Sequence, residues 1–224
     1  MAGGCKIKGA HLRVPDPPLL LVTDRRQARW PLAYIVTAAV KAGCRWISVR
    51  EKDLPADEQV LLARSLLPIT RAHGARLTMH GDEVLAAAAG ADGVHLSAGS
   101  NPAAARALLG AQKLIGVSIH TVTEAEGIDP SAVDYVIAGP AFETASKPGY
   151  GPELGRKGLS AIAQAARVPV LAIGGINTAR IADLISEGAA GVGVMGSVMR
   201  APNPLREVEA LVAILRGFPA ARST

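Results

Sequence analysis

Val170-Leu171-Ala172-Ile173-Gly174-Gly175-Ile176-Asn177 and, further on, Gly191-Val192-Gly193-Val194-Met195-Gly196-Ser197 are two short apolar runs that stop at glycine just ahead of a helical pattern. Runs of this length between turn residues suit buried strands. Glycine at each junction leaves backbone N–H groups bare at a helix start, where the helix dipole favours an anion. In an eight-fold barrel the loops after strands seven and eight are the usual phosphate site. Either glycine pair alone serves equally well as a tight turn. Together, in these ordinal positions, they predict a phosphate monoester held by Gly174, Gly175, Gly196 and Ser197.

Working back from those junctions, strands are expected at 19–23, 46–50, 76–80, 93–96, 114–118 and 134–138. Helical patterns follow at 31–42, 56–73, 82–89, 102–109, 122–127, 159–166, 179–187 and 204–217. Eight strands alternating with eight helical segments call for an all-parallel sheet. An open doubly wound sheet is the competing arrangement. Equal units and the lack of GxGxxG after the first strand favour closure into a single α/β (β/α)8 barrel over 19–224. Residues 1–18 are expected to form a mobile tail.

A chain of 224 residues suffices for one such domain. Aromatics make up only 3%, so the core must come from Ala, Val, Leu and Ile. The net charge of +5 and pI near 9.5 raise nucleic acid as a partner. Scattered basic residues and scarce stacking rings argue against it, and attraction of small anions explains the charge. Cys5 and Cys44 have no metal or redox spacing and read as free thiols of a reducing cytosol. No apolar run is long enough to span a membrane, so a cytoplasmic protein is expected.

Side chains alternate along a strand, so one parity faces the helices and the other the barrel interior. With Ile47 and Val49 outward, Ser48, Arg50 and Lys52 line the inside and end at the C-terminal mouth. Buried cations need an anionic ligand or an internal partner, for which Glu51 and Asp24 are the candidates. By the same parity, Ile115, Val117 and Ile119 leave Gly116, Ser118 and His120 inside. An imidazole gives and takes protons near neutral pH, so His120 is the candidate acid/base, although a histidine at a loop start also serves as a plain hydrogen-bonding group. His80 and His95 share the inner parity. A three-histidine metal centre is the competing reading, disfavoured because His95 lies lower in its strand and no supporting carboxylate accompanies it. The loop 139–159 is the longest in the chain and carries Thr144, Ser146 and Lys147, suited to closing over an anionic substrate.

Seven stretches occur in order: Leu21-Val22-Thr23-Asp24, Val49-Arg50-Glu51-Lys52, Ala91-Asp92-Gly93-Val94-His95-Leu96, Gly116-Val117-Ser118-Ile119-His120, Asp134-Tyr135-Val136, Phe142-Glu143-Thr144-Ala145-Ser146-Lys147 and Ala172-Ile173-Gly174-Gly175-Ile176. From Leu19 to Phe218 the chain resembles the superfamily joining thiamine phosphate synthase and the thiazole tautomerase TenI. The resemblance implies two chemistries. The synthase joins a pyrimidine diphosphate to a thiazole phosphate and needs Mg²⁺ on the diphosphate. Its pattern has Gln before Leu-Arg-Glu-Lys, an Asn-Asp pair ending the third strand and Asp after His-Leu. Here those places hold Ser48, His80 with Gly81, and Ser100, so both magnesium carboxylates are missing. Asp82 lies one residue on, where parity turns it away.

The tautomerase branch aromatises a carboxythiazole phosphate by moving a proton, and it is the expected activity, with no metal or other cofactor. Resemblance then implies His120 as the principal acid/base, with His80 a second proton carrier suggested only by its direction. Gly174, Gly175, Gly196 and Ser197 would hold phosphate. Arg50, Lys52 and Lys147 would bind carboxylate or phosphate, and Ser48, Ser118, Thr144 and Ser146 would contact the ring. The synthase, with Mg²⁺, and a non-catalytic phosphate-ligand-binding protein are the alternatives. The expected partners are a phosphorylated thiazole and a second copy of the chain in a dimer.

Overall fold

The computed structural model describes residues 14–144, 146 and 151–218. Lys147, Cys5 and the first thirteen positions of the expected tail lie outside the described residues. Along the chain β1 (Leu19–Val22), α1 (Leu32–Lys41), β2 (Trp46–Val49), α2 (Ala56–Ala72), β3 (Arg76–His80) and α3 (Glu83–Ala89) alternate. They continue as β4 (Gly93–Leu96), α4 (Pro102–Leu109), β5 (Leu114–Ile119), α5 (Val122–Glu126), β6 (Tyr135–Ala138) and α6 (Gly155–Ala165). The chain ends with β7 (Val170–Ile173), α7 (Thr178–Ser186), β8 (Gly191–Val194), α8 (Gly196–Met199) and α9 (Pro204–Arg216). All eight strands pair in parallel and in sequence order, and β8 closes on β1. The (β/α)8 barrel expected from the sequence is the fold.

Alternation sorts the core into two shells. Leu19, Leu21, Ile47, Val49, Val117 and Ile119 join the larger cluster between strands and helices. Leu20, Val22, Trp46, Leu114, Tyr135, Ile137 and Leu171 fill the barrel itself. Each fully buried Leu, Ile or Val contributes roughly 1.5–3 kcal/mol. The larger outer shell therefore supplies most of the apolar stabilisation, which leaves the upper inner layer for polar groups. Below that layer Trp46 meets Tyr135 edge-on with ring centroids 4.5 Å apart. A Cβ at Gly116 would fall inside the Tyr135 ring, so that strand position must be glycine.

Two aspartates of the quoted stretches have structural work at the strand starts. Asp92 accepts from Leu77 N at 2.9 Å, and Asp134 accepts from Ile115 N at 2.8 Å and from Arg106 Nη2 at 2.7 Å. Two elements differ from expectation. The sixth helix begins at Gly155, four residues before the expected start, because Leu154 N and Gly155 N donate to the carbonyls of Pro140 and Ala141 across the long loop. Among the described residues there are nine helices, since the four-residue α8 stands between β8 and the closing helix. None of these helices is long and apolar enough to cross a membrane.

Candidate active site

At the C-terminal mouth of the barrel lies a cavity of about 530 Å³, lined among others by Ser48, Arg50, Lys52, His80, His95, Ser118, His120, Thr144 and Ser146. Its other wall is made by Gly139 and Pro140, Gly174 to Asn177, and Gly193 to Ser197, with Arg200 beyond. Apart from Lys147, each site residue expected from the sequence lines this one cavity. The size suits a single small ligand.

The glycine wall starts two helices at the cavity. Gly174 and Gly175 adopt φ of +101° and +64°, values that favour glycine, and turn the chain from β7 towards α7. A Cβ at Gly175 would lie 2.5 Å from Glu143 O, so the turn packs tightly under the long loop. Gly196 and Ser197 open α8, and the first N–H groups of a helix have no intrahelical acceptor. Both helix starts therefore present donors to an anion at the rim. Three polar side chains absent from the sequence-based expectation support this wall. Arg180 Nη1 donates to Gly175 O at 2.7 Å, and its guanidinium sits 4.3 Å from the centre of the Phe142 ring. Arg200 donates to Gln27 Oε1 and, at 3.2 Å, to Ser146 Oγ, which itself donates to Gln27 Oε1 at 3.0 Å.

The opposite wall carries side-chain chemistry. Glu51 is buried and accepts from Arg25 N at 2.9 and 3.1 Å, while Asp24 accepts from Arg26 N and Gln27 Nε2. Neither forms an ion pair with Arg50 or Lys52 among the described residues, so the internal partners considered for these cations are engaged elsewhere. Burial pushes the Glu51 carboxyl above its ordinary value, against the pull of the Arg25 N–H. Burial, then the neighbouring Arg50 charge, lowers that of Lys52.

His120 is fixed at both ends. Its backbone N–H donates to Glu124 Oε2 at 2.6 Å, and its Nδ1 lies 2.6 Å from Gly139 O. A carbonyl only accepts, so Nδ1 carries a proton. Burial alone would raise the Glu124 carboxyl, but bonds from His120 N, Thr121 Oγ1 and Thr121 N hold it below the ordinary value. His80 and His95 lie side by side in register, ring centroids 5.1 Å apart, with His95 the deeper at 1% exposure.

A divalent ion on this wall would need hard oxygen ligands. The Asp82 carboxylate instead caps α3, accepting from Val84 N at 2.7 Å and Leu85 N at 3.1 Å. Among the described residues lining the mouth the carboxylate is Glu143, which is exposed. No group of three His, Cys, Asp or Glu side chains among the described residues is placed to hold a metal. This donor set does not fit the magnesium site that the synthase branch implies.

Residues 19–198 match the family TMP-TENI, described as thiamine monophosphate synthase. The chain belongs to this family. Members similar to it include a thiamine-phosphate synthase of Roseiflexus sp., 41% identical over 197 residues, covering 87% of this chain and 84% of the relative. A thiamine-phosphate synthase of Chlorobium luteolum is 38% identical over 211 residues, covering 93% and 98%. Among solved structures, thiamine phosphate pyrophosphorylase from Pyrococcus furiosus superposes with a TM-score of 0.80 at 28% identity, covering 92% of this chain and 97% of that one. The cavity of this TMP-TENI chain thus sits at the mouth of a barrel shared with these relatives.

Proposed function

We propose that this chain is an enzyme of thiamine biosynthesis that moves a proton on a phosphorylated thiazole without a divalent metal, aromatising a carboxythiazole phosphate. The observation carrying this is His120, whose Nδ1–H is held on Gly139 O at 2.6 Å so that Nε2 exchanges the proton at the mouth. The turns at Gly174, Gly175, Gly196 and Ser197 anchor the phosphate through backbone N–H groups. Arg50 and Lys52, with no ion pair among the described residues, meet the substrate carboxylate, and Ser48, Ser118, Thr144 and Ser146 orient the ring. His80 is the second proton carrier.

The names of the relatives favour a second reading, thiamine-phosphate synthase, in which hydroxymethylpyrimidine diphosphate and thiazole phosphate are joined with release of diphosphate. One assay separates the two. Purified protein is given the carboxythiazole phosphate tautomer, and separately the two synthase substrates, each with Mg²⁺ and with EDTA. EDTA-insensitive aromatisation supports the tautomerase. Magnesium-dependent release of diphosphate overturns it in favour of the synthase. Binding of the phosphate ester with neither conversion leaves a ligand-binding protein.

A further inference from the structure

His95 is not required by the proposed proton transfer, yet it lines the mouth while buried to 1% exposure. Its ring stacks on Tyr135 at 5.6 Å and 27° and tilts against His80. Its Nε2 lies 2.9 Å from Ser118 Oγ, whereas the buried Nδ1 meets no hydrogen-bond partner among the described residues. A neutral imidazole carries one proton on one of these two nitrogens. Buried N–H donors without a partner are rare and costly, and a buried lone pair is the lesser loss. The proton therefore belongs on Nε2, from which it is donated to Ser118 Oγ. With that oxygen accepting from below, the serine O–H is directed to the cavity.

We propose that His95 is a positioning residue that fixes the Ser118 hydroxyl as a hydrogen-bond donor into the mouth, so that the ligand atom resting on Ser118 is an acceptor, a carboxylate oxygen or ring nitrogen. With the opposite tautomer, Ser118 would donate downward and offer the ligand only lone pairs, which suits a donor. One buried proton thereby sets the polarity of the substrate contact. The titratable groups facing His95 are Lys52, His80 and Tyr135. Burial, then the Lys52 charge, holds the imidazole down at about 3, so the arrangement persists through the range in which the protein would work. Only the identity of the ligand rests on the proposed function; the polarity of the bond does not.

The test uses the full chain with ¹⁵N-labelled histidine, alongside His95→Met, His95→Gln and Ser118→Ala. The spectrum of the wild type is expected to show His95 as the neutral Nε2–H tautomer, unchanged from about pH 5 to 8. Calorimetry with thiazole phosphate and with carboxythiazole phosphate is expected to show H95M binding the carboxylated ester about fivefold to tenfold more weakly, the scale of one hydrogen bond. H95Q, whose amide nitrogen takes the place of Nε2–H, should recover most of that loss, and H95M should cost nothing further in the S118A background. An Nδ1–H tautomer or an imidazolium signal overturns the proposal, as does an equal H95M penalty with and without Ser118. If H95M does not fold, the wild-type spectrum decides. Binding with the predicted tautomer but without turnover would sink the enzymatic reading while leaving this one standing.

Discussion

From β2 to β5 the rim of the barrel presents side chains, Arg50, Lys52, His80, Ser118 and His120; from β6 to β8 it adds the backbone of Gly139, Gly174, Gly175 and Gly196 to the side chains of Thr144 and Ser146. The first half works through side chains alone, whereas the second adds N–H groups fixed by the glycine turns. A backbone cradle recognises an anion common to many esters, whereas the chemistry depends on what faces it. A barrel can therefore keep one half of its rim constant while the other half, and the chemistry it supplies, changes.

If the halves are separable, substitutions in each should fail differently. The largest effect is expected from His120→Ala, which removes the imidazole held on Gly139 O. Turnover of carboxythiazole phosphate should fall by about 10²-fold or more, with the dissociation constant for the phosphate ester little changed. Stopped turnover assays and calorimetry on the same preparation check both parts.

Gly175→Ala attacks the other half. At φ +64° an added Cβ is strained, and it meets Glu143 O at 2.5 Å and Phe142 Cβ at 2.8 Å. A strained position of this kind costs about 1–3 kcal/mol, so stability to urea should drop by that amount. Phosphate-ester affinity should fall about tenfold as the N–H groups move. A G175A protein that bound normally but turned over slowly would break the division between anchor and chemistry.

His95 gives a third, pH-dependent test. Its folded-state value is depressed to about 3 from an ordinary 6.5, so between those values the unfolded chain binds a proton that the folded chain refuses. Stability therefore rises with pH across that window and is lost as pH falls below about 6.5, by about 1.4 kcal/mol per unit. Urea unfolding at pH 7.5, 6 and 5 should show this slope in the wild type and a shallower one in His95→Gln. The difference between the two proteins isolates His95 from other titrating groups such as Glu51.

Strand alternation made the reactive wall legible before any coordinates. Ile47 and Val49 had to face the helices, so Ser48, Arg50 and Lys52 had to face in, and the same parity placed Ser118 and His120. The glycine cradle was legible because backbone geometry at a strand end is restricted to few residue types. The short α8 was not, because Gly-Ser-Val-Met is too brief to show a helical period. Nor was the start of α6, which is set by carbonyls of Pro140 and Ala141 rather than by its own glycine-containing first turn. The lower place of His95 was legible from its position in the strand, but its pairing in register with His80 was not, because register between strands is a tertiary property. Arg180 and Arg200 gave no signal, since an arginine near a helix end usually points to water.

Arg180 offers the finest test of the comparison, because it does not line the cavity and would act on a ligand only through the turn. Its guanidinium takes the outward carbonyl of Gly175 at 2.7 Å and packs on Phe142, tying the long loop to the cradle. Under the proposed function, holding that carbonyl would keep the turn's N–H groups directed to a phosphate and keep a partial negative charge from facing it. One hydrogen bond to a charged group is lost in Arg180→Met, together with a cation–ring contact. The ester should bind about threefold to tenfold more weakly, with kcat unchanged, and Arg180→Lys should recover part of the loss by keeping the charge. A fall in kcat without a change in affinity would mean that the long loop, through Phe142, serves the proton-transfer wall instead, and the boundary between the two halves would then have to be redrawn at β6.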